Sequence, residues 1–272
     1  MLTLVNYDWW ALVLAAVAGL ACGFLNTVAS SGSAVSLPIL MFIGLDPLTA
    51  NATNRIPVLL GAFMATLSFH RKGAILWPLA LKISVPVTLG SLLGALLALA
   101  IPGRDMGLII TAAILVALVL IFTKLKQIIE SAATHDVHFG VTEFVVFCVI
   151  GGWLGFIVLD GATYLLLGLT LVLGLPLIAA NAIKSALIVP TTVIAMGLFA
   201  YEGHLDMTLG LVMGAGSMAG GLFGARLAIA PTGRAWVVRL LVTVIVLELV
   251  HLTVHYVFHT HYAPRLGRHV SG

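Results

Sequence analysis

The chain has 272 residues, 61% hydrophobic and 8% charged, with mean hydropathy +1.17 and a net charge of +3. Soluble domains carry about 25% charged residues, so a water-soluble fold is excluded and a protein that lives in a bilayer is predicted. The small positive charge gives no basis for a nucleic-acid partner. The two cysteines, Cys22 and Cys148, lie in apolar stretches and exclude a disulfide framework or a cysteine-bound metal cluster.

A membrane-spanning helix needs about 20 apolar residues. The first candidate, 10–28, follows a start with no basic region and reads as a retained span rather than a signal peptide. The polar break Ala29-Ser30-Ser31-Gly32-Ser33 comes next, then a short apolar piece, 33–44, ending at Gly44-Leu45. Spans are predicted at 52–69, 79–101 and 106–123. The stretch 124–140 holds Lys124, Lys126, His135 and His138 and reads as a solvated linker. A span at 141–159 leads to a second break, Asp160-Gly161-Ala162-Thr163, and a second short piece, 163–173, ending at Gly174-Leu175. Spans at 178–200, 208–230 and 235–258 and a polar tail complete the chain. The two short pieces read as half-membrane, re-entrant segments, because irregular backbone at that depth persists only where protein or a wet cavity satisfies it.

Residues 44–104 match residues 174–234 at a constant offset of 130, with 19 of 61 pairs identical. So apolar a composition gives about one in ten by chance. Ala50-Asn51-Ala52 falls on Ala180-Asn181-Ala182, and Gly94-Ala95 on Gly224-Ala225. The loop His70-Arg71-Lys72-Gly73 is basic, whereas its counterpart Ala200-Tyr201-Glu202-Gly203 is not. By the positive-inside rule these equivalent loops face opposite sides, which makes the copies inverted; Arg265 and Arg268 in the tail argue for the parallel alternative. The predicted fold is all-α and integral to the membrane, with about eight transmembrane helices, two re-entrant segments and two tandem repeats in inverted topology. Its parts are a first repeat at 1–123, the linker 124–140, a second repeat at 141–260 and the tail 261–272. Duplicated membrane units place their sites where the copies meet.

Polar side chains at membrane depth are costly and mark function. They gather in matching places: Asn26, Thr27, Ser30, Ser31, Ser33, Asn51, Asn54 and Arg55 in the first copy, Asp160, Asn181 and Lys184 in the second. Asn51 and Asn181 are read as sitting where a helix begins, where unpaired N–H groups and the positive dipole end favour anions. Gly32 and Gly161 allow close backbone approach, and Arg55 and Lys184 add fixed charge. The set suits a small oxyanion; helix capping and snorkelling cations are its bland counterpart. Asp160 is read as a cap, a partner of Lys184 or a proton carrier. Glu248, His251, His255 and His259 share one face of the last span and are read as interfacial decoration ahead of a metal stripe. No nucleophile elbow, phosphate loop or cofactor motif occurs, so neither an enzyme nor a cofactor is expected.

Gly23-Phe24-Leu25-Asn26-Thr27 with the small-residue break, Leu37-Pro38, and Gly44-Leu45-Asp46-Pro47-Leu48-Thr49-Ala50-Asn51-Ala52-Thr53-Asn54 resemble the sulfite exporter TauE/SafE family. The second copy adds Gly155-Phe156, Asp160-Gly161, Gly174-Leu175-Pro176 and Ala180-Asn181-Ala182. The resemblance implies a secondary carrier in the bacterial inner membrane that exports sulfite, thiosulfate or organosulfonates such as sulfoacetate. Ser30-Ser31-Gly32-Ser33 departs from the glycine run common in that family by adding hydroxyls at the break. Expected partners are the anion and the lipid bilayer, with a homo-oligomer allowed. A divalent metal-cation carrier and a non-transporting scaffold are the alternative readings.

Overall fold

The computed structural model describes residues 7–100, 139–158 and 161–230, and these are helical with short connections. Asp160, the spans predicted at 106–123 and 235–258, the 124–138 part of the linker, and the Glu248–His259 stripe lie outside the described residues. The helices are α1 (Trp9–Ala29), α2 (Ser33–Ile43), α3 (Pro47–Thr53), α4 (Arg55–Arg71) and α5 (Trp77–Ala100) in the first copy. The second copy has α6 (Val141–Phe156), α7 (Gly161–Leu167) running into a π-helical turn (Gly168–Val172), α8 (Leu177–Tyr201) and α9 (Met207–Ile229). Four of them, α1, α5, α8 and α9, are long and apolar enough to cross a bilayer. Both short pieces form short apolar helices.

Local chemistry sets the boundaries. Ser30 turns left-handed (φ 61°) and stops α1, while Gly44 (φ 117°) closes α2 with its N–H on the Leu40 and Met41 carbonyls. No Cβ hinders that conformation at Gly44. The Asp46 carboxylate then accepts from the Leu48 and Thr49 N–H groups, with Pro47 in the first helical position, and starts α3. Asp206 starts α9 by accepting from the Leu209 N–H.

Each copy packs its last described helix on the first helix of the other. α1 and α9 run side by side in the same direction, with Gly19 against the Met213 backbone and Gly23 against Ser217. α5 and α6 do the same, with Gly90 against the Cys148 carbonyl and Gly94 against that of Gly152. Small residues let these backbones approach, which is how helices gain packing energy in lipid. Two hydroxyls tie these pairs to neighbouring helices: Ser217 of α9 donates to the Pro57 carbonyl of α4 (2.6 Å), and Ser91 of α5 to the Thr191 carbonyl of α8 (3.0 Å).

Polarity is reversed relative to a soluble bundle. Leu81, Leu93, Val149 and Phe223 are exposed on the outside, while Asn51, Asn54, Arg55, Asn181 and Lys184 are buried within. An apolar exterior with a polar interior is stable only in lipid. Trp9, Trp77 and Tyr201 stand exposed at helix ends, where amphipathic rings favour the membrane–water boundary.

One end of the bundle carries a latch. Tyr7 donates to the Asp206 carboxylate (2.6 Å), and the Asp206 N–H donates to Thr53 (3.0 Å), joining the ends of α1, α3 and α9. Partial burial pushes the Tyr7 phenol above its ordinary range, and the hydrogen bond to Asp206 and that residue's charge push the same way. A phenol raised on folding stabilises fully below its unfolded value near 10 and ceases to do so as pH rises through the folded value. Tyr7→Phe should therefore cost about 1–2 kcal/mol at neutral pH. The difference from wild type should close under strongly alkaline conditions, read by thermal unfolding in detergent across pH.

Candidate functional site

The polar residues assemble at two crossed contacts between the copies. In the first, the segment joining α3 and α4 reaches the carboxyl end of α6. Asn51 Nδ2 donates to the Phe156 carbonyl (3.2 Å), and Asn51 Oδ1 accepts from the Val158 N–H (3.2 Å). Arg55 donates through its two terminal nitrogens to the Leu154 (3.1 Å) and Gly155 (2.6 Å) carbonyls. Its guanidinium carbon lies 4.7 Å from the centre of the Phe199 ring.

In the second, α8 reaches the carboxyl end of α1. Asn181 Nδ2 donates to the Thr27 carbonyl (2.8 Å), and Lys184 Nζ donates to the Asn26 carbonyl and the Ser30 hydroxyl (both 2.8 Å). Thr163 on α7 donates to the Ser30 carbonyl (3.2 Å), so the left-handed turn is held from two helices of the other copy. Helix ends leave carbonyls without partners and carry a partial negative charge. One cation from each copy fills that role for the other.

These contacts correct the capping reading. The helix starts are capped at Asp46 and preceded by Pro176, and Asn51 and Asn181 lie a full turn inside α3 and α8. Their amides spend their bonds across the copy boundary, and the first-turn N–H groups sit elsewhere. Nor do the cations converge on one point. Phe199, which Arg55 covers, and Lys184 are both on α8, about four turns and therefore about 22 Å of helix rise apart. The site is two clusters at different levels. Ser36 connects them on one side: its hydroxyl is 2.6 Å from Asn54 Oδ1 and 3.3 Å from the Gly32 carbonyl.

The remaining predicted residues fall around these clusters. Thr27 returns its hydroxyl to the Gly23 carbonyl (2.8 Å) and Ser31 to that of Ala29 (3.2 Å). Ser33 is buried at the start of α2, and Gly32 packs on the Asn26 backbone and Cβ. Gly161 opens α7 against the Leu154 side chain.

Phe199 and Ser36 were not predicted. Phe199 had a signal, its identity with Phe69 across the repeat; Ser36 had none. Two surface recesses, of about 310 and 350 Å³, are lined by apolar side chains and glycine only, among them Phe24 with Phe223 and Ile56 with Met196. Neither is lined by a residue of the two clusters.

Both cations are fully buried, and neither contacts a carboxylate among the described residues. Three buried polar atoms of the centre lack any partner: Arg55 Nε, Asn54 Nδ2 and Asn181 Oδ1. Buried polar atoms are almost always paired, so these are vacancies in the hydrogen-bonding scheme.

Apolar helices, a lipid-type exterior and a charged interior between two packed copies define a polytopic membrane transporter. The family model of the sulfite exporter TauE/SafE matches residues 15–252, and the chain belongs to that family. It is 31% identical over 220 residues to a probable membrane transporter protein, ORF9, of Sinorhizobium, covering 79% of this chain and 82% of that one. A probable membrane transporter protein of Haemophilus influenzae is 27% identical, over 77% of this chain and 82% of its own. The probable membrane transporter protein YfcA of Escherichia coli K12 is 25% identical, over 75% and 76%. No solved structure matches the chain.

Proposed function

We propose that the protein is a secondary transporter that moves small sulfur-containing oxyanions, such as sulfite, thiosulfate or sulfoacetate, out across the bacterial inner membrane. The observation that carries this reading is the pair of buried cations with no described carboxylate beside them. Fixed positive charge without a counter-charge is expensive in a low-dielectric interior. A mobile anion supplies the counter-charge, and Arg55 Nε and Asn54 Nδ2 supply donors that are not otherwise used. The binding set is Asn26, Thr27, Ser30, Ser31, Gly32, Ser33, Asn51, Asn54, Arg55, Asp160, Gly161, Asn181 and Lys184.

The two copies are inverted in this reading. Support comes from the parallel pairing of α1 with α9 and of α5 with α6, together with the parallel run of Ile56 and Gly61 on α4 beside Gly210 and Gly221 on α9. Followed through the connecting turns, those directions put the 70–73 and 201–206 loops at opposite ends, in keeping with their opposite charge. Exchange of the two crossed contacts between tighter and looser states gives alternating access. With the outer predicted spans the total is about eight.

Thermal-shift measurement on the purified protein with sulfite, thiosulfate, sulfoacetate, sulfate and divalent cations tests the substrate class. Sulfur oxyanions should stabilise it, and Arg55→Ala should weaken that effect about tenfold in apparent affinity, in line with one charge-assisted hydrogen bond. Stabilisation by divalent cations alone would overturn the anion reading.

A further inference from the structure

Each crossed contact holds one copy of the repeated asparagine, yet only Asn51 bonds both ends of its amide. In the first, Asn51 uses both ends of its amide: Nδ2 on the Phe156 carbonyl and Oδ1 on the Val158 N–H. In the second, Asn181 uses only Nδ2, and Oδ1 has no partner although the residue is 1% exposed. The cause is local. α6 stops at Phe156, so the Val158 N–H is free to turn toward Asn51. The equivalent position in the first copy is Val28, but α1 stays helical to Ala29, and that N–H remains in the helix. Asn181 therefore keeps a vacant acceptor. One helical turn further on lies Lys184, whose ammonium has three donors and gives two, to Asn26 and Ser30. Residues at this spacing share a helix face, and their known partners are the adjacent carbonyls of Asn26 and Thr27.

A vacant acceptor beside a partly used cation has a definite chemical complement: an anionic oxygen for Lys184 and an O–H or N–H donor for Asn181. Resting on the oxyanion reading above, we propose that Asn181 determines specificity, and that the Lys184 contact prefers organosulfonates carrying a hydroxyl or amino donor over isosteres that lack one. A bare sulfonate leaves Asn181 Oδ1 unpaired in the occupied state, a penalty that sites built around buried polar groups turn into discrimination.

The probes are 2-hydroxyethanesulfonate and its near-isostere 1-propanesulfonate, titrated calorimetrically onto the full chain in detergent. Wild type should bind the hydroxylated anion about tenfold more tightly. Asn181→Leu should erase the preference, whereas Asn51→Leu, at an amide with no vacancy, should weaken both anions and keep their ratio. The wild-type ratio needs no variant and stands even where a variant fails to fold. Equal affinity for the two anions, as expected where a water fills the vacancy, overturns this inference and leaves the oxyanion reading intact. Binding of neither anion, nor of any sulfur oxyanion, overturns both.

Discussion

Replacing Lys184 by methionine should sharply weaken anion-dependent stabilisation and transport while leaving a folded protein. Methionine keeps the stem volume and removes the charge. The loss leaves the Asn26 carbonyl and the Ser30 hydroxyl short of a donor, a cost of about 1–3 kcal/mol. Release from burying an ammonium offsets that cost, because breaking down a lone buried charge relieves desolvation. Stability should thus change little, and binding a great deal. One charge-assisted contact contributes about 1.5–3 kcal/mol, so affinity for sulfur oxyanions should fall about 10- to 150-fold. Lys184→Arg should not rescue it: a planar fork with five donors does not substitute for a point charge set between a carbonyl and a hydroxyl. Isothermal titration and thermal unfolding of the same preparations separate the two effects.

The second large effect is expected at a position with no polar chemistry. Gly94→Leu should unfold or misassemble the α5–α6 contact, with a destabilisation of about 3 kcal/mol or more. A Cβ there would collide with the Gly152 carbonyl, which belongs to a helix backbone and cannot rotate away. The repeat-related Gly224 is less tightly placed. Its Cβ would meet the Thr27 Cβ at 2.9 Å and the Phe24 carbonyl at 3.0 Å, so the two helices must shift to admit it. Gly224→Ala should therefore destabilise by about 1 kcal/mol, less than Gly94→Ala, because overpacking is partly offset by alanine's better helix propensity. Denaturation in mixed micelles, comparing Gly94→Ala, Gly94→Leu and Gly224→Ala, checks the ranking.

That difference between equivalent glycines illustrates what sequence can carry. The offset of 130 residues, the short pieces after each polar break and the turn at Gly44-Leu45-Asp46-Pro47 are local or periodic signals. They recover the order of the described helices within a few residues, because apolar length and turn chemistry act on contiguous chain. The residues of the polar centre are also legible, since charged and amide groups in an apolar stretch stand out. Their geometry is not. Asn51 and Asn181 read as sitting where helices begin, yet each lies inside a helix and bonds to the other copy, more than a hundred residues away in sequence. Arg55 and Lys184 read as a pair on a shared ligand, whereas each closes the end of a helix in the opposite copy. The Tyr7–Asp206 contact spans 199 residues and has no counterpart in the repeat. Such contacts follow from how the copies dock, which no window along the chain encodes.

The two contacts are held differently. Arg55 spreads over two carbonyls and a ring face beside a fully bonded Asn51, with its Nε and Asn54 Nδ2 left over. The Lys184 contact rests on a strained left-handed serine and an incompletely bonded Asn181.

The most direct measurement is flux. Purified protein reconstituted into liposomes loaded with radiolabelled sulfite should release it down its gradient, faster than protein-free liposomes. Arg55→Ala and Lys184→Met should each reduce that release to near background. Release that persists unchanged in both variants, or wild-type liposomes no more permeable to sulfite, thiosulfate and sulfoacetate than protein-free ones, would contradict the claim that the crossed cations carry a sulfur oxyanion between the copies.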